Sequence, residues 1–208
     1  MEIILALAGR PNTGKTTLFN SLTGMRQRVA NFAGCTVEKA VGVLELGGAA
    51  VQVVDLPGMF SIFPETQDEQ VAFDFLAQTA ASGQSFQVLC VAEASNLQSD
   101  LAFALSLKGQ GYPVMLAVNM IDEAATNGIS IDAAVLARET GMAVAPISAR
   151  HGEGLDHLLT LLSSPDLWAP KAGNPEPRQT AAECHESSRL KANRVCASAV
   201  KQSGGILK

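Results

Sequence analysis

The stretch Gly9-Arg10-Pro11-Asn12-Thr13-Gly14-Lys15-Thr16 limits what this chain can become more than any other, because it fits G-x-x-x-x-G-K-[ST] between two elements of different kind. The apolar run Ile3 to Ala8 leads in as a strand, and Thr17-Leu18-Phe19-Asn20-Ser21-Leu22-Thr23 leads out as a helix. In that setting the small glycines let successive backbone N–H groups point inward at a helix N-terminus, where they surround a di- or triphosphate. Every residue from Gly9 through Thr17 is therefore a candidate phosphate contact. Lys15 adds a positive point charge for the β and γ phosphates, and the Thr16 hydroxyl is a ligand for Mg²⁺. An ordinary glycine turn is the competing reading, and the flanking strand and helix argue against it.

A loop of this type needs a packed sheet behind it, and the composition supplies one. With 208 residues, 47% of them hydrophobic and 17% charged, the chain holds one sizeable domain plus an appendage, and bulk disorder is excluded. A net charge of −5 gives no general basic field, which argues against a nucleic-acid partner. The four cysteines, Cys35, Cys90, Cys184 and Cys196, show no C-x-x-C spacing and read as reduced thiols. The opening apolar run has no basic flank and is too short for a signal peptide, and no run reaches the ~18 apolar residues of a membrane span. The chain as given is expected to be soluble.

Along the chain, Glu38 to Leu46 alternates loosely and Gly47-Gly48 reads as a hairpin turn into Val51 to Asp55, so these two strands should pair antiparallel. Arg26 to Val37 has no clear period. Phe86 to Ala92, Val114 to Val118 and Ala143 to Ala145 are continuous apolar strands of the kind covered on both faces. Helical patterns alternate with them over Asp68 to Ala81, Ser95 to Lys108, Asp132 to Thr140 and Leu155 to Leu162. This alternation predicts an α/β fold: a doubly wound, mostly parallel six-stranded sheet with one antiparallel strand, its ligands at the carboxyl ends of the strands. Residues 1–164 form that domain. A proline-rich linker spans 165–181, and residues 182–208 form a short helical C-terminal appendage, locally basic at Arg189, Lys191, Arg194, Lys201 and Lys208 and read as a solvated helix in preference to a membrane-surface contact.

Three further motifs lie at strand ends in the order a GTP-binding domain requires. Asp55-Leu56-Pro57-Gly58 places an Asp where it holds the Mg²⁺ shell through water and a Gly N–H where it meets the γ-phosphate. Asn119-Met120-Ile121-Asp122 follows the fourth apolar strand. The Asp122 carboxylate accepts from guanine N1–H and the exocyclic amine, a donor pair that adenine lacks. The usual signature is N-K-x-D; here Met120 replaces Lys, which keeps an apolar surface for the base. Ser148-Ala149-Arg150 matches the S-A-[KR] loop whose backbone meets guanine O6. Within Asn31 to Glu38, Thr36 is placed to close over the γ-phosphate and give Mg²⁺ a second hydroxyl, with Gly34 and Cys35 beside it.

These motifs resemble those of the FeoB ferrous-iron transport proteins, specifically their N-terminal cytosolic GTPase domain. The likeness rests on G-R-P-N-T-G-K-T-T-L-F-N-S-L-T-G at 9 to 24, R-V-A-N-F-A-G-C-T-V-E at 28 to 38, D-L-P-G-M-F-S at 55 to 61 and N-M-I-D at 119 to 122. It covers about residues 1 to 162 and is weak beyond Pro165. The N-x-x-G-x-T-V-E stretch and N-M-x-D separate this family from Era-like and ribosome-assembly GTPases, which usually keep N-K-x-D.

The resemblance implies a Ras-like fold, GTP and GDP as ligands, Mg²⁺ as cofactor, and Lys15, Thr36, Gly58 and Asn12 as the catalytic set. It implies a following helical domain, of which residues 182–208 would be a truncated part, and a transmembrane iron-permeation domain of the same full-length protein. That places this piece on the cytoplasmic face of a bacterial inner membrane, with no nucleic-acid partner and with self-association left open. Related GTPases with Asn at the position of Asn12 bind K⁺ through its side-chain oxygen and switch carbonyls, here Gly34 and Cys35. Met59 stands where Ras-like proteins carry a water-orienting Gln, so slow intrinsic turnover is expected. Glu65 reads as a surface carboxylate, Cys184-His185-Glu186 as part of a solvated helix, and His151 and His157 as capping or surface residues. The competing functions are a non-catalytic nucleotide sensor of a membrane protein and an Era-like ribosome-associated GTPase.

Overall fold

A computed structural model describes residues 3–24, 27–31, 38–164, 168 and 181–202. Strand β1 (Ile3–Ala8) passes through the glycine loop into helix α1 (Lys15–Thr23). Strands β2 (Gln27–Asn31), β3 (Glu38–Leu46) and β4 (Ala49–Asp55) follow, then α2 (Gln67–Ala81), β5 (Ser85–Glu93), α3 (Leu97–Gly109), β6 (Val114–Asn119) and α4 (Ile121–Thr126). After them come β7 (Ile129–Ile131), α5 (Ala133–Thr140), β8 (Val144–Pro146), α6 (Leu155–Leu162), α7 (Ala181–Ala199) and β9 (Val200–Gln202).

The main sheet has seven strands in the order β2-β3-β4-β1-β5-β6-β8. β3 is antiparallel to both of its neighbours, and the other ladders are parallel. The doubly wound sheet with one reversed strand is the expected one, enlarged by an edge strand. β2 lies in the segment without periodicity and forms because β3 offers it a free edge, from Gln27 opposite Gly42 to Asn31 opposite Glu38. The β3–β4 turn is the expected two-residue hairpin, with Gly47 and Gly48 at φ 57° and 85°, angles that a type I′ turn requires at both positions.

Alternation along the central strands separates two cores. Val88, Cys90 and Ala92 of β5 face one side with Leu76 of α2, Leu101 of α3 and Leu136 of α5, all buried. Leu89 and Val91 face the other side with Leu18 and Phe19 of α1 and Leu158 and Leu162 of α6. The sheet is thereby covered on both faces, which explains strands without polar alternation.

The appendage differs from expectation. Rather than a solvated helix, α7 packs along α3 and buries Cys184, Ala192, Val195 and Ala199. The reason lies in α3, whose residues Leu97, Leu101, Ala102, Phe103, Ala104, Leu105 and Leu107 are apolar around the whole circumference and need cover on the flank the sheet leaves bare. Close approach is possible because Gly109 lacks a side chain: a Cβ there would lie 2.4 Å from Cys184 Sγ. β9 then pairs antiparallel with β7, Ile129 opposite Gln202, which ties residues 200–202 to the segment after α4. No helix among the described residues is long and apolar enough to cross a membrane.

Candidate functional site

The glycine loop turns where β1 ends. Gly9 has φ 147°, and a Cβ there would lie 2.4 Å from the Val91 carbonyl, so only glycine lets the loop run this close to β5. Gly14 caps α1 in the left-handed region with no side-chain hydrogen bond, leaving the first N–H groups of the helix to an external acceptor. Asn12, also left-handed at φ 67°, is exposed. Lys15 is buried and its Nζ donates to the Arg10 carbonyl at 3.0 Å, as the Thr13 hydroxyl does at the same distance. Burial pushes the Lys15 ammonium below its ordinary value, with Asp55 opposing the shift. An anion placed beside it would relieve that cost.

Asp55 lies at the end of β4, opposite Leu7 of β1. Its Oδ2 accepts the Thr16 hydroxyl at 2.8 Å, while Oδ1 is buried without a partner. Burial raises its pKa, offset by Thr16 and Lys15. Three and four residues on, the chain is held back against the glycine loop: a Cβ on Gly58 would lie 2.8 Å from Pro11 Cγ, and Met59 N–H donates to the Gly9 carbonyl at 3.1 Å. Leu56 and Met59 are buried in the core, and Pro57 is half-buried.

The base-reading candidates gather at the ends of β6 and β8. Asn119 is buried and bridges two loops, its Nδ2 donating to the Thr13 carbonyl at 2.9 Å and its Oδ1 accepting from Ala149 N–H at 3.0 Å. Met120 is left-handed at φ 62° and starts α4, which carries Asp122 in its first turn. Gly14, Thr17, Asn119, Met120, Asp122, Ser148 and Arg150 line a cleft of about 350 Å³ together with Glu123. The Asp122 carboxyl is held below the usual carboxylate range, chiefly by the Ser148 hydroxyl beside it and further by His151. Gly34, Cys35 and Thr36 lie outside the described residues.

The sequence of events along the chain hides two other participants. The Arg10 side chain, expected among the phosphate contacts, turns toward α3, where its guanidinium lies 3.5 Å from the buried Asp100 carboxylate and 5.2 Å from the centre of the Phe60 ring. Glu69 of α2 is buried, and its carboxylate accepts from the N–H groups of Phe60 at 2.9 Å, Glu65 at 2.9 Å and Thr66 at 3.2 Å, so it staples the loop after Gly58. Burial raises its pKa, but those amides together outweigh it and hold the carboxyl below its ordinary value. The signal for Glu69 was present as Thr66-x-x-Glu69, a capping box that the structure completes with Glu69 N–H donating to the Thr66 hydroxyl. Glu65 itself is exposed, as expected.

Glu69→Ala should therefore destabilise the domain by about 2 kcal/mol, since it strands buried amides and removes a cap. The check is a shift of the denaturation midpoint with faster amide exchange at Phe60, Glu65 and Thr66. Because the folded pKa is depressed, this contribution is full above the ordinary glutamate range and is lost as pH falls through the lowered value.

The sequence profile described as Ferrous iron transport protein B matches residues 3–162. The chain belongs to this family. It is 40% identical over 161 residues to the Fe(2+) transporter FeoB of Salmonella typhimurium, which is 76% of this chain and 20% of that protein. It is 36% identical over 162 residues to the Fe(2+) transporter FeoB of Leptospira biflexa, covering 78% of this chain and 23% of the other. The chain thus spans under a quarter of the length of these curated relatives. Among solved structures, the cytosolic domain of T. maritima FeoB in its GDP form superimposes with a TM-score of 0.80 at 26% identity, covering 97% of this chain and all of that one. Its GMPPNP form gives the same TM-score at 27% identity over 96% of this chain. The fold is accordingly the Ras-like α/β fold of the FeoB G domains, and the match to the cytosolic domain runs on through α7.

Proposed function

We propose that this chain binds GTP and GDP, hydrolyses GTP, and serves as the nucleotide-responsive cytosolic domain of a ferrous-iron membrane transporter. The observation that carries the reading is the Asn119 bridge, in which one buried amide joins Thr13 of the phosphate loop to Ala149 of the S-A-R loop. Phosphate grip and base reading are thereby held as one rigid cleft with Asp122 on its wall. The names of the relatives, Fe(2+) transporters, and the GDP and GMPPNP forms of the T. maritima neighbour support the assignment of substrate and context. In this reading the partner is the transmembrane iron-permeation domain of the full-length protein, at the cytoplasmic face of the bacterial inner membrane.

In hydrolysis a water attacks the γ-phosphorus in line, and catalysis consists of stabilising charge on the transferring oxygens. Lys15 binds the β and γ phosphates, and the Gly58 N–H meets the γ-phosphate. Mg²⁺ fits Thr16 and Asp55, because the buried, unpartnered Oδ1 of Asp55 is an oxygen that needs a cation or its water. When bound, the metal supplies charge neutralisation between the phosphates. Thr36 is the second hydroxyl of that set. Met59 is 1% exposed and packed in the core, so no side chain at that position orients the water, and intrinsic turnover is slow.

Asn12, exposed and left-handed, would hold K⁺ with the carbonyls of Gly34 and Cys35, and the ion would supply the positive charge that an arginine finger supplies elsewhere. GTP turnover in KCl is expected to exceed that in NaCl at equal ionic strength by about tenfold or more, the scale of one well-placed charge, and Asn12→Ala should abolish the difference. Equal rates in both salts would remove Asn12 from the mechanism.

The buried Met59 also favours a second reading, a sensor that signals by binding alone. Single-turnover hydrolysis set against the rate of nucleotide release separates the two: release much faster than hydrolysis selects the sensor. For the guanine assignment itself the test is titration calorimetry in Mg²⁺, where GTP and GDP should bind at least about 100-fold more tightly than ATP. Equal affinity overturns it.

A further inference from the structure

We propose that His151 competes with the guanine base for Asp122 and so tunes how tightly the domain holds its nucleotide. This rests on the guanine reading of Asp122 above. Nε2 of His151 lies 3.3 Å from Oδ2 of Asp122. Guanine binds such a carboxylate with two donors, N1–H and the exocyclic amine, one for each oxygen. The imidazole therefore occupies an acceptor that the base needs, and one of the two must yield. The Asp122 side chain is 28% exposed and that of His151 58%, so the carboxylate is accessible and the ring has room to swing away.

The backbone that carries the ring is fixed. His151 N–H donates to the Ser148 carbonyl at 3.1 Å, and Ser148 N–H donates to the Glu153 carbonyl at 2.9 Å. The contact is made by rotation of one side chain within a built turn. The other charged groups near by are Glu123 and Arg150, which line the cleft with Asp122, and Glu153, two residues beyond His151 in the chain. The Asp122 carboxyl is held below its ordinary value, so the ring lies against an anion, and the base must displace it to bring both of its donors to the carboxylate. For a pair this exposed the effect on affinity is about two- to fivefold.

The experiment measures dissociation constants and release rates of fluorescently labelled GDP on the 208-residue chain and its variants at one pH. His151→Ala should bind GDP about two- to fivefold more tightly than the native chain and release it more slowly, and His151→Lys, a permanent cation, should bind it more weakly. The proposal is overturned if His151→Ala binds GDP no more tightly than the native chain, and weaker binding would make the ring a support for the base. ATP on the native chain separates the two layers: ATP held as firmly as GDP defeats the guanine reading and this proposal with it. A retained GDP preference beside an inert His151→Ala defeats the competition alone.

Discussion

Asp122→Asn should turn a guanine site into a xanthine site. The native carboxylate offers two acceptors to the two donors of guanine, whereas an asparagine offers one acceptor and one amine. Guanine then meets a donor with a donor, while xanthine, with a carbonyl in place of the exocyclic amine, is matched. A buried polar group left unpaired on both sides of such a contact costs about two orders of magnitude or more in affinity. Calorimetry with GDP, XDP and ADP should show GDP falling by about 100-fold and XDP taking its place, with ADP unchanged. The fold should be nearly indifferent, because Asp122 is an accessible side chain in the first turn of α4. A GDP preference that survives the change would mean that Asp122 does not read the base.

Gly14→Val should have the other large effect, and for a reason found only in three dimensions. Gly14 sits at φ 86°, and a Cβ there would lie 2.3 Å from Asn119 Nδ2, the atom that bonds the Thr13 carbonyl. A β-branched side chain must adopt a left-handed backbone and displace that buried amide, which also holds Ala149 N–H. Strain and the two lost hydrogen bonds together amount to about 3 kcal/mol or more. Nucleotide affinity should fall by at least about 100-fold, with a lowered melting midpoint. Gly24→Ala is the control: φ is 59° but nothing lies within 4 Å of a new Cβ, so only the backbone strain of about 1 kcal/mol remains and nucleotide binding is spared. Equal losses from both variants would refute the role given to the Asn119 bridge.

Where residues dictate their own backbone, the sequence was readable. The Gly9 and Gly14 turns, the Gly47-Gly48 hairpin and the Asp132 cap, whose carboxylate accepts from Val135 N–H at 3.0 Å, follow from local rules. β2 was not readable, because its pairing is imposed by the β3 edge rather than by any pattern of its own. The docking of α7 was half-legible: Phe103 and Leu107 fall outside the stripe of Leu97, Leu101 and Leu105 and required a second apolar neighbour. Arg10 with Asp100, and His151 with Asp122, are pairs distant in sequence. The second meets because β6 and β8 are adjacent and parallel, Val118 opposite Pro146, so the segments leaving their ends emerge side by side.

The β7–β9 ladder, in which Ile129, Ser130 and Ile131 pair with Gln202, Lys201 and Val200 in turn, has a mechanical consequence. A tug on the polypeptide beyond Gln202 is taken up first by this three-rung clasp and by the Asp132 N–H bond to the Ala199 carbonyl at 2.8 Å. Only Asn127 and Gly128 separate the clasp from α4, so the load arrives first at the short helix that carries Asp122.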